Sequence, residues 1–110
     1  MLHDDAHRAF VAVMATKQHS LREDLLRLAV RYAHIRAEWW LAKRTGEPTN
    51  DKLRGTTHDA FIDACNILSR NMAKQGEDNS WRALLGDDRR EIGDFACFVH
   101  AFLGVMARVG

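Results

Sequence analysis

The sequence has little of what a disulfide scaffold, a flexible linker or a membrane span requires. It contains one proline and two cysteines in 110 residues, which excludes a disulfide-rich fold and a proline-rich linker. No segment alternates apolar and polar residues as a half-buried strand does, and there is no glycine-rich phosphate loop or C-x-x-C zinc pattern. Asp94 and His100 interrupt the most apolar segment, which is therefore too short to span a bilayer.

The charge of the chain is nearly balanced. The formal net charge is +1, and the chain is 46% hydrophobic and 28% charged, a globular composition. A small basic patch surrounds one predicted connection between helices, where Glu47 and Asp51 partly neutralise it; it consists of Lys43, Arg44, Lys52 and Arg54. Phosphate binding needs clustered cations that are not neutralised, so nucleic acid is a disfavoured partner.

The N-terminal residues predict the cellular compartment. The segment MLHDDAHRAF has no basic stretch followed by an apolar core, so no signal peptide is predicted and we expect a cytoplasmic protein. Cys65 and Cys97 both lie in apolar helical segments. We therefore predict two buried free thiols rather than a disulfide, as is usual in a reducing compartment.

Hydrophobic periodicity predicts five helices in one domain covering residues 1–110. Apolar residues recur at spacings of three and four, and glycine, proline or polar segments separate the helical stretches. The helices are predicted from Asp4 or Asp5 to about Gln18, from about Leu21 to Arg44, from Thr57 to Lys74, from Trp81 to Leu85, and from Asp87 or Asp88 to Val109. The fold class is all-α: a compact bundle of four main helices plus one short helix.

Capping residues refine these boundaries. Ser20 with Glu23 forms a capping box for the second helix, and Asp88 with Glu91 resembles one for the last helix. Asn50 and its neighbours Thr49 and Asp51 offer caps for a third helix that begins earlier. Gly55 is expected to split that helix, so its main part is predicted to begin at Thr57.

Two helices are apolar on more than one face, and the chain supplies only about four main helices to cover them. The last helix presents Phe95, Val99 and Phe102 on one face, and the second helix has two apolar stripes along its length. A two-fold homodimer, the commonest oligomer, would cover the excess. The residues that we expect at this or another protein interface are Trp39, Trp40, Phe98 and Phe102.

Polar stripes on the second, third and last helices point to a metal site. The third helix carries Asp59 and Asp63 on one side, and the last carries Glu91 and Asp94. Carboxylates from facing helices are what Mg²⁺ needs, because hard cations take several oxygen ligands.

The segment EIGDFACFVHAFLGVMARVG resembles part of the motif of the all-α nucleotide pyrophosphohydrolases related to MazG. In that family an E-x-x-D pair on an apolar helix follows an E-x-x-E helix. Glu91 and Asp94 match the second half, but Asp63-x-x-Asn66 stands where two acids are expected, and Asn66 cannot supply a carboxylate. The resemblance implies a Mg²⁺-dependent hydrolase using Asp59, Asp63, Glu91 and Asp94.

The competing interpretation of those acids is structural. Glu91 would belong to the start of the helix, and Asp94 would pair with Arg31 or Arg70 of a neighbouring helix. An unpaired buried carboxylate is costly, so Asp94 needs either such a partner or water at the rim of the helix. We favour this interpretation over the catalytic one.

A second pattern consists of His34, then His58 and Asp59, then a later acid such as Asp94. It resembles the metal ligands of HD-domain phosphohydrolases, in which imidazoles and carboxylates bind a divalent ion that activates water. The chain is short for that fold. The structural alternative places His58 and Asp59 in the first turn of a helix, where acidic side chains interact favourably with the helix dipole.

The strings YAHIRAEWW, RGTTHDAFIDACN and LGDDRREIGDFAC are similar to those of an uncharacterised family of small helical bacterial proteins. That resemblance implies a compact helical fold and no activity. The sequence thus favours a self-associating binding or regulatory module without a cofactor. The alternative is the metal-dependent hydrolase.

Overall fold

The computed structural model describes the backbone of residues 2–86 and 89–109 and the side chains of residues 4–86 and 91–104. Within these residues the chain forms five α-helices and no strand: α1 (Leu2–Met14), α2 (His19–Thr45), α3 (Asp51–Lys74), α4 (Trp81–Leu85) and α5 (Arg89–Val109). α2 packs against α3 and α5, while α1 packs against α5 and α4. The predicted all-α bundle of four longer helices and one short helix is confirmed.

α2 and α3 form a long helical hairpin, and Gly46 and Asn50 define the helix ends at its connection. Gly46 ends α2 in the left-handed conformation, with φ of 75°, which a glycine adopts without strain. Asn50 starts α3, because its side chain accepts a hydrogen bond from the Leu53 N–H at 3.0 Å. Gly55 does not split the helix as predicted: α3 continues through it, since the cap at Asn50 already fixes the first turn.

The connection between α1 and α2 differs from the prediction at both ends. α1 begins at Leu2 and ends at Met14 instead of about Gln18, so Asp4 and Asp5 lie in its first turn rather than capping it. α2 begins at His19. The side chain of its N-cap residue, Gln18, makes no capping hydrogen bond. The predicted Ser20–Glu23 capping box is therefore wrong, because Ser20 already lies inside the helix. The predicted Asp88–Glu91 start of the last helix lies outside the described residues.

The core is built around a line of aromatic rings from three helices. Tyr32 of α2 stacks on Phe61 of α3 at a centroid distance of 6.2 Å, and Phe61 stacks on Phe95 of α5 at 5.9 Å. All three side chains are at most 1% exposed. Trp81 of α4 closes one end of the core and is also 1% exposed. Apolar burial of this kind is the main stabilising contribution to the fold.

α5 is buried on one side only. Ile92, Phe95 and Val99 are fully buried, as the periodicity predicts. Phe102, expected in the core or at an interface, is 39% exposed and is not part of this chain's closed core. No described helix is both long and apolar enough to cross a membrane.

Both cysteines are free, but only one is buried. Cys65 is fully buried, and burial raises the pKa of its thiol to about 12. Cys97 is exposed on α5, where its Sγ lies 3.4 Å from Nη1 of Arg36. The prediction of two buried thiols is therefore wrong for Cys97, which is exposed although the Arg36 side chain of α2 reaches it.

Candidate functional site

The four predicted metal-binding carboxylates do not come together. Asp59 and Asp63 are exposed on α3, and each is two residues from Phe61, which points into the core. Two residues correspond to about 200° around a helix, so both acids face away from the side of α3 that meets α5. Glu91 and Asp94 are half-buried on α5. Within residues whose side chains are described, no three His, Cys, Asp or Glu residues form a group that could hold a metal ion.

The two histidines of the HD-like pattern lie in different environments. His34 is exposed on α2, and its ring centroid is 5.8 Å from that of His100 on α5. His58 is buried on α3, where Nδ1 lies 3.1 Å from Oδ1 of Asp59 and the ring lies edge-on to Tyr32 at 5.4 Å. Since one imidazole faces solvent and the other the core, they do not form a shared site. The alternative position for His58, in the first turn of a helix, is also wrong, because α3 begins at Asp51.

Asp94 does not have the arginine partner that the structural interpretation expected. Neither Arg31 nor Arg70 forms an ion pair with it, and both arginines are exposed. The Asp94 side chain is half-buried, so part of it remains accessible to solvent. Partial exposure agrees with the second alternative for Asp94, in which water at the rim of the helix solvates the carboxylate.

A polar cluster that no sequence pattern indicated joins two loops. Glu77, in the loop between α3 and α4, accepts hydrogen bonds from the Thr16 hydroxyl at 2.8 Å, the Lys17 N–H at 3.0 Å and the Gln18 amide at 2.9 Å. Asn71 donates to Gln18 Oε1 at 2.7 Å. These hydrogen bonds, chiefly those from Gln18 and Lys17, lower the pKa of the Glu77 carboxyl. Because Glu77 satisfies the polar groups of the α1–α2 connection, α1 can end four residues earlier than predicted.

A cleft of about 550 Å³ opens beside this cluster, between α1 and α4. Its floor includes Met72 and Trp81, and its rim includes Thr16 and Glu77. Because the Glu77 and Thr16 side chains already bond to each other, the rim of this cleft contributes to the fold. It is therefore a weaker candidate for binding than the apolar surfaces described next.

Trp39, predicted at an interface, forms a hydrogen bond and two cation–π contacts within the chain. Its indole Nε1 donates to Oδ1 of Asp51 at 2.5 Å, and its ring packs between the Lys43 ammonium at 4.7 Å and the Arg54 guanidinium at 4.3 Å. The hydrogen bond from Trp39 is the main reason why the pKa of Asp51 lies below its usual range. Trp40 packs edge-on against Trp39 at 5.1 Å and remains 47% exposed.

We use the name hairpin tip for the end of α2 that carries Trp40 and Leu41. Leu41 is 62% exposed. The apolar side chains of the hairpin tip lie among charged residues on α2 and α3, chiefly Lys43, Arg44 and Lys52, all of which are exposed. The tip thus combines an apolar surface with exposed cations that Glu47 and Asp51, also exposed, partly neutralise.

A second exposed apolar surface lies between α1 and α5, and we call it the α1–α5 face. Phe10 of α1 contacts Phe102 and Phe98 of α5 at ring distances of 4.6 and 5.6 Å. Val11 beside them is 54% exposed and Phe102 is 39% exposed. A shallow groove of about 420 Å³ runs along this face; it is lined by His7, Phe10, Val11, Met14, Ala15 and Phe102.

A third surface is the α2–α3 groove, of about 290 Å³. Its apolar lining includes Leu28 and Ile67, of which Ile67 is 45% exposed. Its rim carries Asp24, Arg27 and Asp63, and Arg27 lies 3.6 Å from Asp24. The acid expected to bind metal, Asp63, therefore lies beside an apolar groove.

No protein-family model, curated protein or solved structure matches this chain. The resemblances to the MazG-related hydrolases and to a family of small helical bacterial proteins therefore stay predictions.

Proposed function

We propose that this protein is a self-associating helical binding module that acts as a homodimer. The observation that carries this proposal is the exposure of five large apolar side chains among the residues whose side chains are described: Val11, Trp40, Leu41, Ile67 and Phe102. Single exposed apolar residues are normal on protein surfaces. Val11 and Phe102, however, adjoin the Phe10 ring and form a continuous apolar face, which is typical of an interaction surface.

The positions of the acidic residues favour binding over catalysis. A Mg²⁺-dependent hydrolase needs several oxygen ligands directed at one point. Asp59 and Asp63 lie on the opposite side of α3 from the core that joins α3 to α5, while Glu91 and Asp94 belong to α5. We therefore keep the hydrolase as the alternative and assign no metal or other cofactor to the proposed module.

Sedimentation equilibrium of the unmodified chain over nanomolar to high micromolar concentrations tests self-association. We expect the average mass to rise from that of one chain to that of two. The mass of one chain at all concentrations would overturn the proposal.

A second assay addresses the alternative enzyme. Mg²⁺ or Mn²⁺ that binds only the folded state would raise the melting temperature. We expect neither ion to shift the melting temperature and expect no hydrolysis of nucleoside triphosphates in their presence. If the melting temperature rises with metal in the wild type but not in Asp94→Ala, the hydrolase replaces the binding module.

A further inference from the structure

We propose that His34 of α2 and His100 of α5 together bind one divalent transition-metal ion of the class of Zn²⁺. The two ring centroids lie 5.8 Å apart, and the ring planes are inclined by 44°. Both side chains are exposed, so an ion can reach them from solvent. This histidine pair differs from the predicted HD-like set, which combined His34 with the buried His58, and it does not depend on the proposed homodimer.

The separation of the two rings fits a shared ion. Zinc lies about 2 Å from each imidazole nitrogen that binds it, and tetrahedral coordination by two imidazoles then places the ring centroids about 5 Å apart. A small rotation of the two side chains closes the difference from 5.8 Å, since exposed side chains change rotamer readily. Neither imidazole has a hydrogen bond or ion pair with a described residue, so each neutral ring offers an ion a nitrogen lone pair.

Contacts near the histidine pair hold α2 and α5 together. Arg36, just after His34 on α2, lies so close to Gly93 of α5 that a Cβ there would come within 2.9 Å of the guanidinium carbon. Nη1 of Arg36 also lies 3.4 Å from Sγ of Cys97, one turn before His100. Because the helices are already packed here, an ion does not have to bring the histidines together. A preorganised pair binds an ion more tightly than two separate side chains do.

The chemistry of the histidine pair selects the ion. Imidazole nitrogen suits Zn²⁺, Ni²⁺ and Cu²⁺, whereas Mg²⁺ and Mn²⁺ prefer oxygen ligands. Among the described side chains, no third His, Cys, Asp or Glu joins the pair, so water completes the coordination. On α2 the exposed Arg31 and Glu38 lie about one turn to either side of His34, and their opposite charges offset each other.

Calorimetric titration of the reduced chain with Zn²⁺ near neutral pH tests the histidine pair. We expect one ion to bind each chain. Loss of an outer-shell partner weakens metal binding about 10- to 100-fold, so His34→Gln and His100→Gln, which each remove a direct ligand, should raise the dissociation constant at least about tenfold. His19→Gln removes an exposed histidine elsewhere on α2 and should leave the dissociation constant unchanged.

Cys97→Ser is the second control, because thiolates also bind zinc and Cys97 lies one turn from His100. We expect this variant to bind Zn²⁺ as the wild type does, since Cys97 belongs to no three-ligand group among the described residues. The proposal is overturned if the wild type binds no ion, or if either His34→Gln or His100→Gln leaves binding unchanged. Binding that is lost in Cys97→Ser or His19→Gln, or one ion bound by two chains, also overturns it.

Melting curves show whether the ion links the two helices. An ion that binds only the folded chain, in which the two rings meet, raises the melting temperature. Zn²⁺ should therefore raise the melting temperature of the wild type and of His19→Gln, but not that of His34→Gln or His100→Gln. An equal rise in all four proteins would contradict a bridge between α2 and α5.

Imidazole NMR signals of the unmodified chain make the test independent of any folding defect in a variant. On addition of Zn²⁺, the signals of His34 and His100 should change together, while those of His7, His19 and His58 stay constant. A change at only one member of the histidine pair, or a larger change at another histidine, would contradict the proposal.

Discussion

Glu77 and Thr16 form a side-chain hydrogen bond of 2.8 Å although 61 residues separate them in the sequence. Thr16 is 3% exposed, and its hydroxyl also accepts a hydrogen bond from the Gln18 N–H at 3.1 Å. The contact links the α1–α2 connection to the loop before α4. It therefore fixes the position of α1, which carries half of the α1–α5 face.

Glu77→Gln should lower the melting temperature at neutral pH, because the amide group cannot accept all the hydrogen bonds that the carboxylate accepts from Thr16, Lys17 and Gln18. Folding lowers the pKa of Glu77 from its ordinary value of 4.5. A depressed folded-state pKa stabilises the protein above the unfolded value, and this contribution is lost as the pH falls through the folded value.

Melting curves of both proteins from neutral to acidic pH measure this effect. The difference in melting temperature should be greatest at neutral pH, shrink as the pH falls below about 4.5 and vanish once the folded carboxyl is protonated. Glu47→Gln, at an exposed acid in another loop, is the control and should show a smaller difference. Equal effects of the two substitutions would contradict the role given to Glu77.

Phe95→Ala and Phe102→Ala should differ in their effect on stability. Phe95 is fully buried against Phe61, and we expect its truncation to reduce the free energy of unfolding by about 3–5 kcal/mol. Phe102 is 39% exposed, so its truncation should cost only about 1–2 kcal/mol in a dilute, monomeric sample. Urea denaturation measures both values. A larger loss for Phe102→Ala than for Phe95→Ala would show that the exposed side of α5 has been assigned incorrectly.

Trp39→Phe should raise the pKa of Asp51 towards its ordinary value of 3.8. The substitution keeps an aromatic ring between Lys43 and Arg54 but removes the indole N–H that donates to the carboxylate. NMR titration of the Asp51 carboxyl carbon measures the change. Trp40→Phe is the matched control, and a pKa that moves equally in both variants would rule out the Trp39 hydrogen bond as the cause.

The two thiols should react at very different rates in the native protein. Cys97 is exposed to reagent, whereas Cys65 is fully buried and burial raises the pKa of its thiol to about 12, which suppresses the reactive thiolate at Cys65. Titration with a thiol reagent should find one reactive group in the folded protein and two after unfolding without reductant. Two rapidly reacting thiols in the folded protein would contradict the burial of Cys65. No reactive thiol after unfolding would contradict the conclusion that both cysteines are free.

Local patterns predicted the helices well because each depends on neighbours in the sequence. The spacing of Ile92, Phe95 and Val99 identified the buried side of α5, and all three are fully buried. The boundary of α1 was missed because it depends on Glu77, which is distant in sequence. Gly55 was expected to break α3. The helix continues through it, and the cap at Asn50 offsets the low helix propensity of glycine.

The candidate surface was predicted less completely than the fold. Phe98 and Phe102 were identified from the apolar excess on α5, but Val11 was not, because on the sequence it belongs to an ordinary amphipathic helix. Its exposure follows from how α1 packs against α5. Trp39 was expected at an interface because adjacent tryptophans on a helix point in different directions; its hydrogen bond to Asp51, across the hairpin, cannot be recognised from spacing alone.

The mass of the unmodified chain in solution, measured by sedimentation equilibrium at low and high salt, tests the central claim most directly. We expect a dimer at micromolar concentration, with a dissociation constant that scarcely rises as salt is added, because the described residues that line the groove of the α1–α5 face include no Asp, Glu, Lys or Arg. A monomer at every concentration would contradict self-association. A dimer that dissociates as salt is added would contradict an apolar contact.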